Sequence, residues 1–84
     1  MTRPVYRTWY NDGDGTEHFL RIKPTGELDE IIIHEPDLAG GLKIYMVHFG
    51  PLNPINQETF IKHKEVLSKA DWNTALKKAK NFIK

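Results

Sequence analysis

Between Val5 and Phe49 the chain switches repeatedly between runs of β-branched and aromatic residues and clusters of turn formers. This punctuation constrains the fold more than any other feature. The runs VYRTWY (5–10), TEHFLRIK (16–23), LDEIIIHE (28–35) and LKIYMVHF (42–49) have strand composition. Asn11–Gly15, Pro24-Thr25-Gly26 and Pro36–Gly41 separate them with residues that turn a chain. Short connections between successive strands favour hairpins, so the simplest topology is a four-stranded antiparallel meander.

Past Gly50–Asn56 (GPLNPIN) the period changes. Trp72, Ala75, Leu76, Ala79, Phe82 and Ile83 recur at helical spacing and share one face, which predicts a helix over about 70–83. Ser68 followed by Asp71 resembles a capping box, although Asp71 could itself be the cap. A weaker stripe through Phe60, Ile61, Lys64 and Leu67 predicts a second helix over about 57–68, with Asn56 as its N-cap. A four-stranded sheet needs an apolar cover. The expected class is therefore α+β: a β-meander followed by one or two C-terminal helices packed on one face of the sheet.

An 84-residue chain fits a single small domain spanning 1–84, and at 39% hydrophobic it has enough apolar residues for a core. At this size about 60–65% of the unfolded surface is buried, so stability is modest. The chain has no cysteine, which excludes disulfide staples and Cys-ligated zinc and fits a reducing compartment. No run is long enough for a membrane-spanning helix, and MTRPVYRTWY lacks the apolar core of a signal peptide. A soluble, cytoplasmic protein is expected. Net charge is +1, but residues 1–56 carry −3 and residues 57–84 carry +4.

The stretch YNDGDGTEHF (10–19) places Asp12, Asp14, Thr16 and Glu17 at near-alternate positions, as a calcium loop would. An EF-hand loop starting at Asp12 would put Glu17 where Gly is required and Lys23 where a bidentate Glu is required. The flanks read as strands, so a hairpin tip is the better reading. His18, His34, His48 and His63 form neither HxH nor HExxH. Pairing the second and third strands around Thr25 puts His18 beside Ile32 and near His34. It also places Arg21 opposite Asp29 and Lys23 opposite Glu27. No nucleophile elbow or phosphate loop is present, so no enzyme activity, cofactor or metal is expected.

Two surfaces carry the functional expectation. Glu27, Asp29, Glu30, Glu35 and Asp37 form an acidic run without a lysine or arginine. Period-2 alternation divides the aromatic and isoleucine residues between both sheet faces. One helical layer then leaves a face with exposed Tyr6, Tyr10, Ile31 and Ile33 as apolar anchors, and Glu30, Glu35 and Asp37 as steering charges. That pattern suits a small non-enzymatic protein-binding module, an inhibitor, adaptor or regulatory subunit, whose partner is another protein or a second copy. The alternative is a nucleic-acid-binding module using Lys69, Lys77, Lys78, Lys80 and Lys84. Against it, the tail has no arginine, and lysine near a helix C-terminus is favourable in any case.

Overall fold

The structure, a computed structural model, describes residues 3–34 and 41–82. Strands β1 (Val5–Asn11), β2 (Thr16–Ile22), β3 (Leu28–His34) and β4 (Lys43–Phe49) form the meander. Helix α1 (Pro54–Ile61), a short strand β5 (Glu65–Val66) and helix α2 (Lys69–Phe82) follow. The sheet order is β4-β3-β2-β1-β5, with every described pair antiparallel. An α+β domain with its C-terminal helix packed on an antiparallel sheet is what the sequence pattern leads one to expect.

The register sorts side chains into two faces. Tyr6, Arg21, Asp29 and His48 lie in one cross-strand row. Thr8, Phe19, Ile31 and Met46 form the next, and Tyr10, Glu17, Ile33 and Ile44 the third. On the opposite face run Val5–Ile22–Leu28–Phe49, Arg7–Leu20–Glu30–Val47, Trp9–His18–Ile32–Tyr45 and Asn11–Thr16–His34–Lys43.

Helix α2 covers the first face. Trp72, Ala75 and Ala79 are buried against Ile31, Ile33, Ile44 and Leu67, with Tyr6, Phe19 and Met46 at the margin. The Ser68 Oγ accepts from the Asp71 N–H at 3.0 Å, so Ser68 is the cap and Asp71 lies in the first turn, favourable for the helix dipole.

Helix α1 departs from expectation in bounds and in face. Asn53, not Asn56, is the cap: its Oδ1 accepts from the Asn56 N–H at 2.8 Å, and Pro54 takes the first helical position. The helix ends at Ile61. His63 then adopts a positive φ of 63°, and Glu65–Val66 pairs with Arg7 and Thr8 as an edge strand. The residues expected to finish a helix at 68 are therefore extended. The two helices also do not share a face. Leu52, Phe60 and Ile61 pack on Leu20, Ile22 and Leu28, on the side away from α2. The cause is the Val5–Ile22–Leu28–Phe49 row, which is apolar across four strands and requires its own cover.

This crossing is fixed by one close approach. Gly26 has φ +92°, donates to the Lys23 carbonyl at 2.8 Å and accepts from the Leu52 N–H at 2.9 Å. A Cβ there would stand 2.7 Å from the Leu52 carbonyl oxygen. The β2–β3 turn thus holds the strand-to-α1 connection against the sheet end.

Candidate functional site

The YNDGDGTEHF stretch forms the β1–β2 hairpin tip. Gly15 N–H donates to the Asn11 carbonyl at 2.8 Å, with Gly15 at φ +70°. Asp14 accepts from the Thr16 hydroxyl at 2.6 Å and from the Thr16 N–H at 3.0 Å. The hydroxyl bond, ahead of the backbone bond and the nearby His18 and His34, holds the Asp14 carboxyl below its usual range. Its carboxylate is therefore already engaged within the turn.

Thr16 links this tip to a polar cluster on the α1 side of the sheet. A hydroxyl has one proton, and Thr16 gives it to Asp14. Its oxygen therefore accepts from His18 Nε2, 2.7 Å away. The other ring nitrogen, Nδ1, stands 3.4 Å from Glu30 Oε2, within ion-pair range but off the line of a hydrogen bond. The Trp9 ring stacks on the imidazole with centroids 4.0 Å apart and planes at 16°. Lys64 Nζ lies 5.6 Å from the Trp9 centroid. The shared face expected for His18 and His34 is present, since Thr16 pairs with His34 and His18 with Ile32. Among the described residues no group of three His, Asp or Glu converges as metal ligands.

A second cluster closes the other face at its Arg21 end. Asp29 is almost fully buried, at 4% exposure. Its Oδ2 accepts from Arg21 Nε at 3.1 Å and from Arg21 Nη2 at 2.6 Å, and Lys23 Nζ lies 3.6 Å away. Oδ1 bonds the Nδ1 of His48. Burial pushes the Asp29 carboxyl up, but the bonds from Arg21 and His48 and the charges of Arg21 and Lys23 outweigh it, and the carboxyl is held below its usual range. Arg21 also sits 5.0 Å above the Trp72 ring. The expected Arg21–Asp29 pairing is thus present; Lys23 stands opposite Glu27, its N–H donating to the Glu27 carbonyl at 2.8 Å, while its ammonium reaches Asp29.

These placements correct the expected binding surface. Ile31 and Ile33 are at 0% and 4% exposure under α2, so they are core residues and not surface anchors. Tyr6 is half-buried and tilted against Trp72, with ring centroids 6.1 Å apart. Tyr10 alone of the four remains exposed, at 61%. Glu30 lies on the opposite face from Asp29 and is directed at His18, so the acidic run does not make one patch. Glu35 and Asp37 lie outside the described residues. The reason is legible in the register: the rows through Phe19–Ile31–Met46 and Ile33–Ile44 give the wider apolar surface, and α2 takes it.

Among the described residues, the surface left open is the other face beyond α1. There the Trp9–His18–Ile32–Tyr45 row runs across four strands, with Tyr45 at 52% exposure and Ile32 half-buried. Period-2 alternation alone sets Trp9 on the face opposite Tyr6 and Tyr10, and the β3–β4 register adds Tyr45 to its row.

The lysines divide as well. At about 100° per residue, Lys69, Lys77 and Lys80 fall within about 80° of one another on α2. Lys78 lies on the other flank, beside an open groove of about 420 Å³ lined by Glu17, Phe19, Ile33, Asp71 and Thr74. The Lys69–Lys77–Lys80 side of α2 is the one turned away from that groove, with Lys77 on the solvent side. Lys84 lies outside the described residues.

No family model, no curated protein and no solved structure matches this chain. Among the described residues no helix is long and apolar enough to cross a membrane.

Proposed function

We infer that the protein is a small non-enzymatic binding module, an adaptor, inhibitor or regulatory subunit, that docks another protein on the open half of its sheet. One observation carries this reading. Among the described residues, Tyr45 is exposed and Ile32 half-buried on the face beyond α1, where Trp9 packs against the α1 cluster, and polar groups flank them: Glu30 on one side, His34 and Lys43 on the other. An exposed tyrosine beside a half-buried isoleucine, with charges alongside, is a composition that protein interfaces use. A cysteine-free chain suits such work in a reducing compartment such as the cytoplasm.

The test is affinity capture from the source cells with the natural chain, Ile32→Glu and Lys77→Glu/Lys80→Glu as baits. The reading expects one set of proteins retained by the natural chain and the lysine variant, and lost with Ile32→Glu. Identical retention by all three baits refutes it. A second reading, nucleic-acid binding, rests on Lys69, Lys77 and Lys80, which are exposed and lie within about 80° of one another on α2. It expects labelled DNA or RNA to bind at low salt, with a salt slope that shrinks in Lys77→Glu/Lys80→Glu and is unchanged in Ile32→Glu.

A further inference from the structure

We propose that the outer edge of β4 pairs with the same edge of a second copy of this chain. The pairing would be antiparallel, across a two-fold axis at Met46, and would join two sheets into one. It goes beyond the docking face above and stands or falls separately.

The two ends of the sheet are treated differently. At the β1 end the outermost strand is the two-residue β5. Short edge strands, prolines, bulges and inward charges are the usual devices that keep sheet edges from pairing. Among the described residues the β4 end has only a lysine of this kind, Lys43 at the strand start, and none of the other devices. Its seven residues pair with β3 in unbroken register, and proline enters only at Pro51, after the strand has ended. Lys43, at the strand start, is its one residue with a permanent charge. Among the described residues no strand covers its outer N–H and C=O groups.

The sequence of β4 is complementary to itself. Residues directly opposite in an antiparallel pair share a face, so a two-fold pairing must join positions of equal parity. The register centred on Met46 is the one that pairs the whole of Lys43–Phe49. It sets Met46 against Met46, Tyr45 against Val47, Ile44 against His48 and Lys43 against Phe49. No two permanent charges meet. An aromatic residue faces a β-branched one, and the lysine stem faces a ring. Tyr45 and Phe49, exposed at 52% and 44% in the single chain, each gain a neighbour. The Trp9–His18–Ile32–Tyr45 row then continues into Val47 and Glu30 of the second copy. A seven-residue strand is about 23 Å long, so the contact belongs with the smaller interfaces and the dimer is reversible.

The lack of native cysteine makes a register test direct. In the proposed pairing two Met46→Cys residues meet with Cα atoms about 4.5–5.5 Å apart, inside the range of a disulfide. Two Tyr45→Cys residues are diagonal at about 7–8 Å, outside it. Lys77→Cys, on the solvent side of α2, reports random collision. Because Met46 touches the core, Tyr45→Cys/Val47→Cys serves as a second variant, with position 45 of each copy facing position 47 of the other. Light scattering on the natural chain should show mass rising with concentration toward twice 9.8 kDa. Mild oxidation should give covalent dimer from Met46→Cys and from the double variant, with Tyr45→Cys and Lys77→Cys left behind. Monomer mass at about 1 mM overturns the proposal. Dimer mass without selective cross-linking in either reporter overturns it too, by moving the contact elsewhere. None of these outcomes depends on whether Ile32→Glu loses a protein partner.

Discussion

Replacing Asp29 by Asn tests how the Arg21 end of the sheet is held. The Asp29 carboxylate is 5% exposed and accepts two bonds from Arg21, with Lys23 and His48 also at hand. Asn keeps the shape and one acceptor oxygen but removes the charge around which these groups gather. Breaking a fully buried ion pair costs about 3–5 kcal/mol. Here the partners are partly exposed: Arg21 at 26%, Lys23 at 40% and His48 at 69% of their side chains. Water screens the charge left behind, so the expected loss is about 2 kcal/mol. For a domain of this size that lowers Tm by about 8–16 °C. The sign of the pH dependence follows from the lowered carboxyl. Its stabilisation is complete above the unfolded Asp value, near pH 4, and is lost as pH falls through the lower folded value. Urea melts between pH 2 and 7 should therefore show the natural chain losing its advantage over Asp29→Asn below about pH 4. A difference under about 0.5 kcal/mol at pH 7, or one constant across the whole range, refutes the argument.

Two further substitutions address the chain's crossing between faces and the start of α2. Gly26→Ala puts a Cβ 2.7 Å from the Leu52 carbonyl at φ +92°, so it should cost more than about 1 kcal/mol in a urea melt, and an unchanged midpoint would show that the turn relaxes freely. Ser68→Ala removes the oxygen that receives the Asp71 N–H and should cost about 0.5–2 kcal/mol in the same urea melt, whereas Ser68→Asp should restore most of it.

The strands were legible because their signal is local. VYRTWY, TEHFLRIK and LKIYMVHF carry both strand composition and bounding turn residues, and the observed strands differ by a residue or so at the ends. The Thr25-centred turn fixed the β2–β3 register, and with it the Arg21–Asp29 pair and the shared face of His18 and His34. The α2 stripe was legible for the same reason: Trp72, Ala75 and Ala79 repeat at helical spacing and are buried. Residues 57–68 were harder, since Phe60, Ile61 and Leu67 fit a helical stripe while His63 and the β1 edge interrupt it. Local periodicity does not register a strand of two residues whose reason to exist is its partner.

What local pattern could not decide was which face each helix would cover. Both sheet faces contain isoleucine and aromatic residues, so the choice depends on how much apolar area each presents once all four strands are in register. On one face Phe19, Ile31, Met46, Ile33 and Ile44 adjoin in two rows and match the long stripe of α2. On the other, the apolar rows are interrupted by Arg7, Glu30 and His18, and only the Val5–Ile22–Leu28–Phe49 end is continuous. A short helix delivering Leu52, Phe60 and Ile61 suffices there. The same arithmetic explains why the site moved. Ile31 and Ile33 belong to the face that attracts the larger helix, and so they are lost as anchors. Ile32 and Tyr45 belong to a face whose polar interruptions leave it half covered, and so Ile32 stays half-buried and Tyr45 exposed.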